Sequence, residues 1–302
     1  MNTERFNRSP FFYVGDKYKL VPEIRPLFPD RINRFVEPFV GGGSVTLNVN
    51  ANEYLLNDID SNVISIHKLL CSYAKKEEAF FRAFYNIVDE YKLSCSFRHD
   101  IIPEELKKEN VKTYFARFNK TPYERLRADY NASDRSNVLM LYVLLIYGFN
   151  RMLRFNSKGD FNLPVGNVDF NANTEQALRD YFREMSNKKV KWYSKDFRSF
   201  LKQIRWEEDD FVYLDPPYLI TFSEYNKLWN VDTENDLLHL LDVLNLKGCR
   251  FAISNVTHYK GKENVAFIEW AQKYYTHSIK SNYISYHDNT IKQFNEVLVT
   301  NY

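Results

Sequence analysis

Asp210-Phe211-Val212-Tyr213-Leu214 runs directly into Asp215-Pro216-Pro217-Tyr218. The first five residues form a short apolar, β-prone run, which predicts a buried parallel strand. The tetrapeptide then falls at the carboxyl end of that strand, where open α/β sheets gather their ligands. Two prolines fix φ twice and remove two N–H donors, so the ladder stops and the carbonyls there are free to face a ligand. A carboxylate, a carbonyl and an aromatic ring on one stiff turn suit a planar base with an exocyclic amine. Two acceptors meet the amine and the ring stacks on the base. An Asp-Pro turn that merely ends a strand is the plainer reading of these residues. A second motif upstream decides between the two.

That motif is Arg34-Phe35-Val36-Glu37-Pro38-Phe39-Val40, another strand pattern, which leads into Gly41-Gly42-Gly43-Ser44 and then Val45, Leu47 and Val49. Strand, glycine loop and helix in this order are the layout of a nucleotide-type cofactor site, because glycine lets the backbone approach the ligand closely. The spacing is not GxGxxG and no Walker lysine follows, so no pyrophosphate site is implied. Tyr54-Leu55-Leu56-Asn57-Asp58-Ile59-Asp60 comes next. An apolar strand ending in an acid at this distance is where a carboxylate grips ribose hydroxyls. Asp58, nearest the strand end, is the candidate for that role. Asp60 is placed to cap the helix that holds Val63, Ile64 and Ile66.

Further strands are expected at Val190–Phe197, Arg250–Asn255 and Glu296–Thr300, with helices at Leu237–Leu244 and Val265–Tyr274. Asp196-Phe197 ends the first of these strands. The pair suits an adenine ring, although an aspartate that simply starts a helix explains it as well. Near the start, Tyr13-Val14-Gly15-Asp16-Lys17 precedes Leu20, Val21, Ile24 and Leu27 at helical spacing, and that helix is expected to end near Pro29. Lys17 is either a surface lysine or a partner for an anionic group. From about Ser72 to Tyr130 mixed charges accompany a helical pattern, broken near Pro103, and Asn137–Tyr147 reads as a buried helix ending at Gly148. Phe222 and Tyr225 fall in an expected loop.

Short alternating runs flank Lys158-Gly159, which predicts a β-hairpin over 148–166. Asn150, Arg151, Arg154, Asn156 and Lys158 lie in it. In a major groove Arg and Lys read guanine and Asn reads adenine, so these five are the DNA-binding candidates. A structural hairpin with solvated basic residues is the alternative.

The 302 residues allow one large or two modest domains. A net charge of only +2 does not by itself announce nucleic acid. The charge is uneven, with Lys188, Lys189, Lys191, Lys195, Arg198, Lys202 and Arg205 crowded around the single acid Asp196. Cys71, Cys95 and Cys249 fit neither a disulfide framework nor a zinc site and suggest a reducing compartment. No signal peptide or membrane-length apolar run is visible, so a cytoplasmic protein is expected.

Taken in order, these motifs resemble the Dam-like alpha group of DNA adenine-N6 methyltransferases. Tyr13–Lys17 is similar to a family motif usually written Trp-Ala-Gly-Gly-Lys; here Tyr13 replaces Trp and Asp16 replaces a glycine. Val36–Ser44 matches the cofactor loop, Asn57–Asp60 the ribose-binding segment, Asp196-Phe197 the adenine-holding pair, and Asp215–Tyr218 the catalytic motif. Residues 148–166 resemble the recognition hairpin, and the ending Asn295–Asn301 is also similar. The resemblance implies a Rossmann-like α/β methyltransferase sheet with a late antiparallel strand and an inserted, mostly helical recognition domain. Residues 1–71 and 188–302 would form the catalytic domain, and 72–187 the recognition domain. It implies S-adenosyl-L-methionine as cofactor, no metal, and double-stranded DNA as partner. Tyr13, Lys17, Glu37, Pro38, Phe39, Gly41, Gly43, Asp58, Asp196 and Phe197 would hold the cofactor, Lys17 through its methionine carboxylate. Asp215, Pro216, Pro217 and Tyr218 would act on the N6 amine of a flipped-out adenine. Cytosine-N4 or RNA adenine chemistry, a silent DNA binder and a small-molecule methyltransferase are the rivals. A target such as GATC or GATATC stays open. So does a cognate restriction endonuclease acting on the same site without direct contact. A monomer is the default expectation.

Overall fold

The computed structural model describes residues 5–13, 15–99, 101–221, 229–279 and 294–302. Phe222 and Tyr225, expected in a loop, lie outside them. The chain divides into two compact units: residues 17–40, 48–59 and 188–302 form one, and residues 1–16, 41–47 and 60–187 the other.

The first of these units holds a mixed sheet. Its strands are β1 (Arg34–Glu37), β2 (Glu53–Asn57), β3 (Val190–Tyr193), β4 (Phe211–Leu214), β5 (Arg250–Tyr259), β6 (Lys262–Glu263), β7 (Tyr275–Ile279) and β8 (Phe294–Thr300). They lie in the order β3-β2-β1-β4-β5-β8-β7, with β6 on β5. The pairs from β3 to β5 are parallel. β8 runs antiparallel to both β5 and β7. Strand order reverses between β1 and β4, the place where open α/β sheets leave a crevice beyond their carboxyl ends. All four side chains of β4 are buried, as a strand covered on both faces requires. Val36, Leu55, Val212, Leu214, Phe251, Ile253 and Val299 form a core with Leu237, Leu241 and Phe267 from the helices Val231–Leu246 and Val265–Ala271. Each such side chain contributes roughly 1.5–3 kcal/mol by leaving water. That rigidity fixes where the strand ends point.

The other unit is helical. Helices span Ser61–Tyr73, Glu77–Tyr91, Glu104–Glu109, Tyr114–Ala132, Val138–Tyr147 and Ala172–Met185. Asp60 caps the first, accepting from the Asn62 amide at 2.9 Å. Asn137 caps the apolar helix, accepting from Met140.

Several expectations are corrected. The helix expected from Leu20 is reduced to a 3₁₀ turn at Lys17–Lys19, a four-residue α-helix at Val21–Ile24 and a second 3₁₀ turn at Arg25–Leu27, because Pro22 and Pro26 interrupt its hydrogen bonds. The glycine loop is followed by only one 3₁₀ turn, Thr46–Asn48, not a helix. Val45 and Thr46 are β-branched and Asn48 competes for backbone partners, which together disfavour propagation. Strand β7 was not expected. Gly148 does end a helix, but at φ −77° rather than in the left-handed region. Glycine is needed there for space: a Cβ would meet Leu163 Cδ2 at 2.6 Å and the Leu144 carbonyl at 2.7 Å.

Candidate active site

Asp215 leaves the carboxyl end of β4 within a cluster of four polar side chains, all in the sheet-bearing unit. Lys17 Nζ lies 2.9 Å from Asp215 Oδ1. It is also 3.6 Å from Glu296 Oε1 on β8. The Tyr218 hydroxyl oxygen is 3.1 Å from Asp215 Oδ1 and 2.7 Å from Glu296 Oε1. The Lys17 ammonium also sits 4.9 Å from the centroid of the Tyr218 ring, within cation–π reach. The Lys17, Asp215 and Glu296 side chains are 6%, 20% and 1% exposed.

Burial dominates the protonation of this cluster. It raises the Asp215 carboxyl, while the Lys17 charge and the Lys17 and Tyr218 hydrogen bonds pull the other way. Glu296 is raised by burial too, opposed by Lys17 and Tyr218 and reinforced by Asp215. Tyr218 is pushed well above the ordinary phenol value by burial and by both carboxylates, so its proton stays in place.

The parallel strands present more candidates at their carboxyl ends. Glu37 is buried at the end of β1, and the Pro38 carbonyl accepts from the Asn57 amide at 3.0 Å. Asn57, wholly buried, also donates to the Lys195 carbonyl and accepts from the Lys195 amide, both at 2.9 Å. It thereby ties the ends of β1, β2 and β3 together. Asn57→Ala removes the partner of the buried Pro38 carbonyl and of two backbone groups of the exposed Lys195, and we expect a loss of ~2 kcal/mol of stability; urea unfolding of the two proteins checks it. Asp58 is half-buried just beyond β2. Asp196 caps the helix Phe197–Gln203, accepting from the Arg198 amide at 2.9 Å. The Phe197 and Phe39 rings pack at 5.5 Å between centroids. Trp229 closes the trio at 5.7 Å from each.

In the helical unit Tyr13 is half-buried and packs edge-on against Phe11. A Cβ on Gly42 would come within 3.3 Å of Tyr13 Cβ and Ser9 Oγ. Gly41 and Gly43 both have positive φ, +46° and +77°, which explains glycine at these two positions. The Gly41 carbonyl meets His67 Nε2 at 2.8 Å, and His67 Nδ1 meets the Tyr181 hydroxyl at 3.0 Å. Burial holds His67 down to about 4, so it is a neutral buttress for the loop.

Residues 148–166 contain two isolated antiparallel bridges, Gly148 with Val165 and Phe155 with Phe161. Asn150 is exposed and takes φ +53°. Arg151, at φ +49°, is buried instead. Its guanidinium lies 4.1 Å from the Phe12 ring centroid and 3.3 Å from Thr174 Oγ1. Burial brings it down to about 10. Arg154 is half-buried and donates to both Asn162 Oδ1 and the Asn162 carbonyl. Asn156 Oδ1 accepts from the Lys158 and Asp160 amides, each at 2.9 Å, and closes the turn. Lys158 projects as an exposed side chain. Of the basic run, Lys188, Lys191 and Arg198 are engaged with Tyr54, Glu53 and Asp236 of the sheet-bearing unit.

Sequence reading singled out Lys17, Asp215 and Tyr218, which the fold brings together, but not Glu296, Asn57, Trp229 or His67 as site residues. The signal for Glu296 was present: one acid inside an otherwise apolar terminal strand, Val297-Leu298-Val299. The others lacked any pattern, since their partners are remote in sequence.

In the sheet-bearing unit, Asp58 beyond β2 and the Phe39–Phe197–Trp229 aromatic wall offer a carboxylate for ribose hydroxyls and ring faces for an adenine, a donor set that fits an adenosyl cofactor. Comparison with known proteins shows the family. Residues 13–296 match the model of the D12 class N6 adenine-specific DNA methyltransferases. The chain is 35% identical to the type II methyltransferase M.FokI of Planomicrobium okeanokoites over 99% of its own length and 44% of that protein. It is 33% identical to the modification methylase StsI of Streptococcus sanguinis, over 100% of the chain and 44% of the relative. A DNA adenine methylase of Haemophilus influenzae is 30% identical over 74% of the chain and 68% of that protein. The chain thus spans less than half the length of M.FokI and StsI, and it belongs to the D12 class N6 adenine-specific DNA methyltransferase family.

Proposed function

We propose that this chain moves a methyl group from S-adenosyl-L-methionine to N6 of an adenine flipped out of double-stranded DNA. The observation that carries the reading is Asp215 at the end of β4, next to Pro216-Pro217-Tyr218 and held by Lys17 at 2.9 Å. Flipping costs a few kcal/mol and frees the amine from its base pair. The Tyr218 ring stacks on the base. The Asp215 carboxylate and the Pro216 carbonyl accept from the two N6 hydrogens, which draws the nitrogen toward tetrahedral character and aims its lone pair. When bound, the cofactor supplies a methyl group on a positively charged sulfur. The N–C bond forms as the S–C bond breaks, and the surplus N6 proton leaves by way of Asp215. Pro217 stiffens the turn. The gain is mostly positioning and electrostatics.

Tyr13, Gly41, Gly43, Glu37, Pro38, Phe39, Asp58, Asp196 and Phe197 serve the cofactor in this reading. Asp58 takes the ribose, Phe197 the adenine face, and Asp196 its amine in addition to capping a helix. Asn150, Arg154, Asn156 and Lys158 face DNA, the first and last through exposed side chains. Arg151 underpins the loop that presents Asn150. The target is a short palindrome of GATC or GATATC type. The names of M.FokI and StsI support a place in a restriction-modification system. A cognate endonuclease would act there on the same DNA site without touching this chain.

Long-read modification sequencing of DNA from a methylation-free host expressing the chain tests this. N6-methyladenine confined to one short motif is the expected result. Modified cytosine overturns the base assignment. No modification, with the protein soluble and binding S-adenosylmethionine, overturns the activity.

A further inference from the structure

The hydrogen bonds of the Lys17–Asp215–Tyr218–Glu296 cluster do not balance with both carboxylates ionised. A tyrosyl hydroxyl carries one proton, yet its oxygen lies 3.1 Å from Asp215 Oδ1 and 2.7 Å from Glu296 Oε1. It can donate to one of them. The other contact is attractive only if that carboxyl brings its own proton. Charge gives the same answer: two carboxylates against one lysine leave a buried negative charge, whereas one carboxylate and one acid leave none.

Three observations choose which carboxyl holds the proton. Lys17 is closer to Asp215, at 2.9 Å, than to Glu296, at 3.6 Å. The Asp215 side chain is 20% exposed and that of Glu296 only 1%. Glu296 Oε2 is buried and meets no hydrogen-bond partner among the described residues, an arrangement an anion tolerates poorly. Strand β8 fixes the Glu296 backbone between Val256 of β5 and Ile279 of β7, which sets the face of the sheet on which its side chain lies.

We propose that Glu296 is a positioning residue that works as the neutral acid, donating to Tyr218, which in turn donates to Asp215. Asp215 is then the single ionised acceptor for the N6 amine, and Tyr218 is locked in the orientation that stacks on the base. Burial, which raises Glu296, favours the same state. The proposal rests on the methyltransferase reading above and adds a residue and a protonation state to it.

The test is single-turnover methyl transfer from labelled S-adenosylmethionine to unmethylated plasmid DNA by wild type, Glu296→Gln and Glu296→Leu. Glutamine keeps a neutral donor of the same shape; leucine keeps the volume alone. Gln is expected to stay within about fivefold of wild type and Leu to fall about 10²-fold, each with a cofactor Kd within about threefold of wild type. Gln as impaired as Leu would mean that the charge is needed and would overturn the proposal, as would a fully active Leu variant. Infrared spectroscopy reads the proton without activity. Wild type at neutral pH is expected to show a protonated-carboxyl C=O stretch that shifts in D₂O and is lost in Glu296→Gln. Persistence of that band in the Gln variant would assign it elsewhere and overturn the proposal. No transfer by wild type itself would overturn the parent reading, and this one with it.

Discussion

Asp215→Ala is expected to lower the single-turnover rate of methyl transfer by about 10³-fold, the order seen when a preorganised charge partner is removed from a reaction centre. The loss has two parts. The N6 amine no longer meets a charged acceptor, so its lone pair stays delocalised into the ring and is not aimed at the methyl group. The Lys17 ammonium, 2.9 Å from the missing carboxylate, is left beside the amine and repels the positive charge that develops on nitrogen. Cofactor affinity should change far less, because the glycine loop and Asp58 are untouched. Rapid-quench methylation and equilibrium dialysis with S-adenosylmethionine, run side by side, separate the two quantities. A variant that turns over like wild type rules out Asp215 as the acceptor.

Lys17→Met should lower transfer by about 10²-fold, for a different reason. Methionine preserves the unbranched apolar stem and removes only the charge. The Lys17 charge is the largest influence holding Asp215 down against burial. Without it the Asp215 carboxyl rises further, and a protonated carboxyl is a donor where an acceptor is needed. The sign is therefore definite. Activity requires ionised Asp215, so the acid limb of the rate profile lies above the ordinary aspartate range in wild type and moves to still higher pH in Lys17→Met. Part of the lost rate should return in alkaline buffer. A pH series of single-turnover rates reads this directly. Had Lys17 served only the cofactor's methionine carboxylate, as the sequence suggested, the variant would raise the cofactor Kd and leave the acid limb in place.

The sequence carried the sheet well where apolar runs were short and bounded. β1, β2, β3, β4 and β8 all fall on segments whose alternation or continuity was legible, and the capping role of Asp60 follows from local chemistry alone. It misled where local signals competed. Leu20, Val21, Ile24 and Leu27 have helical spacing, yet Pro22 and Pro26 limit that stretch to single turns. Among the DNA candidates, Arg151 looked like a basic side chain ready for a groove. It is held over Phe12 in the interior, a placement set by two successive residues at positive φ.

By itself, then, the sequence determined the order of the motifs, the parallel part of the sheet and the place of Asp215, Pro216, Pro217 and Tyr218 at a strand's carboxyl end, because each is written in a few adjacent residues. Tertiary structure alone decided that Lys17 meets Asp215, that Asn57 ties three strand ends together, and that Glu296 arrives beside Tyr218 from a strand 78 residues further on. A hydrogen bond across such a distance leaves no periodic trace in a chain. It exists only because burial on both faces of the sheet fixes the register that brings the two oxygens to 2.7 Å.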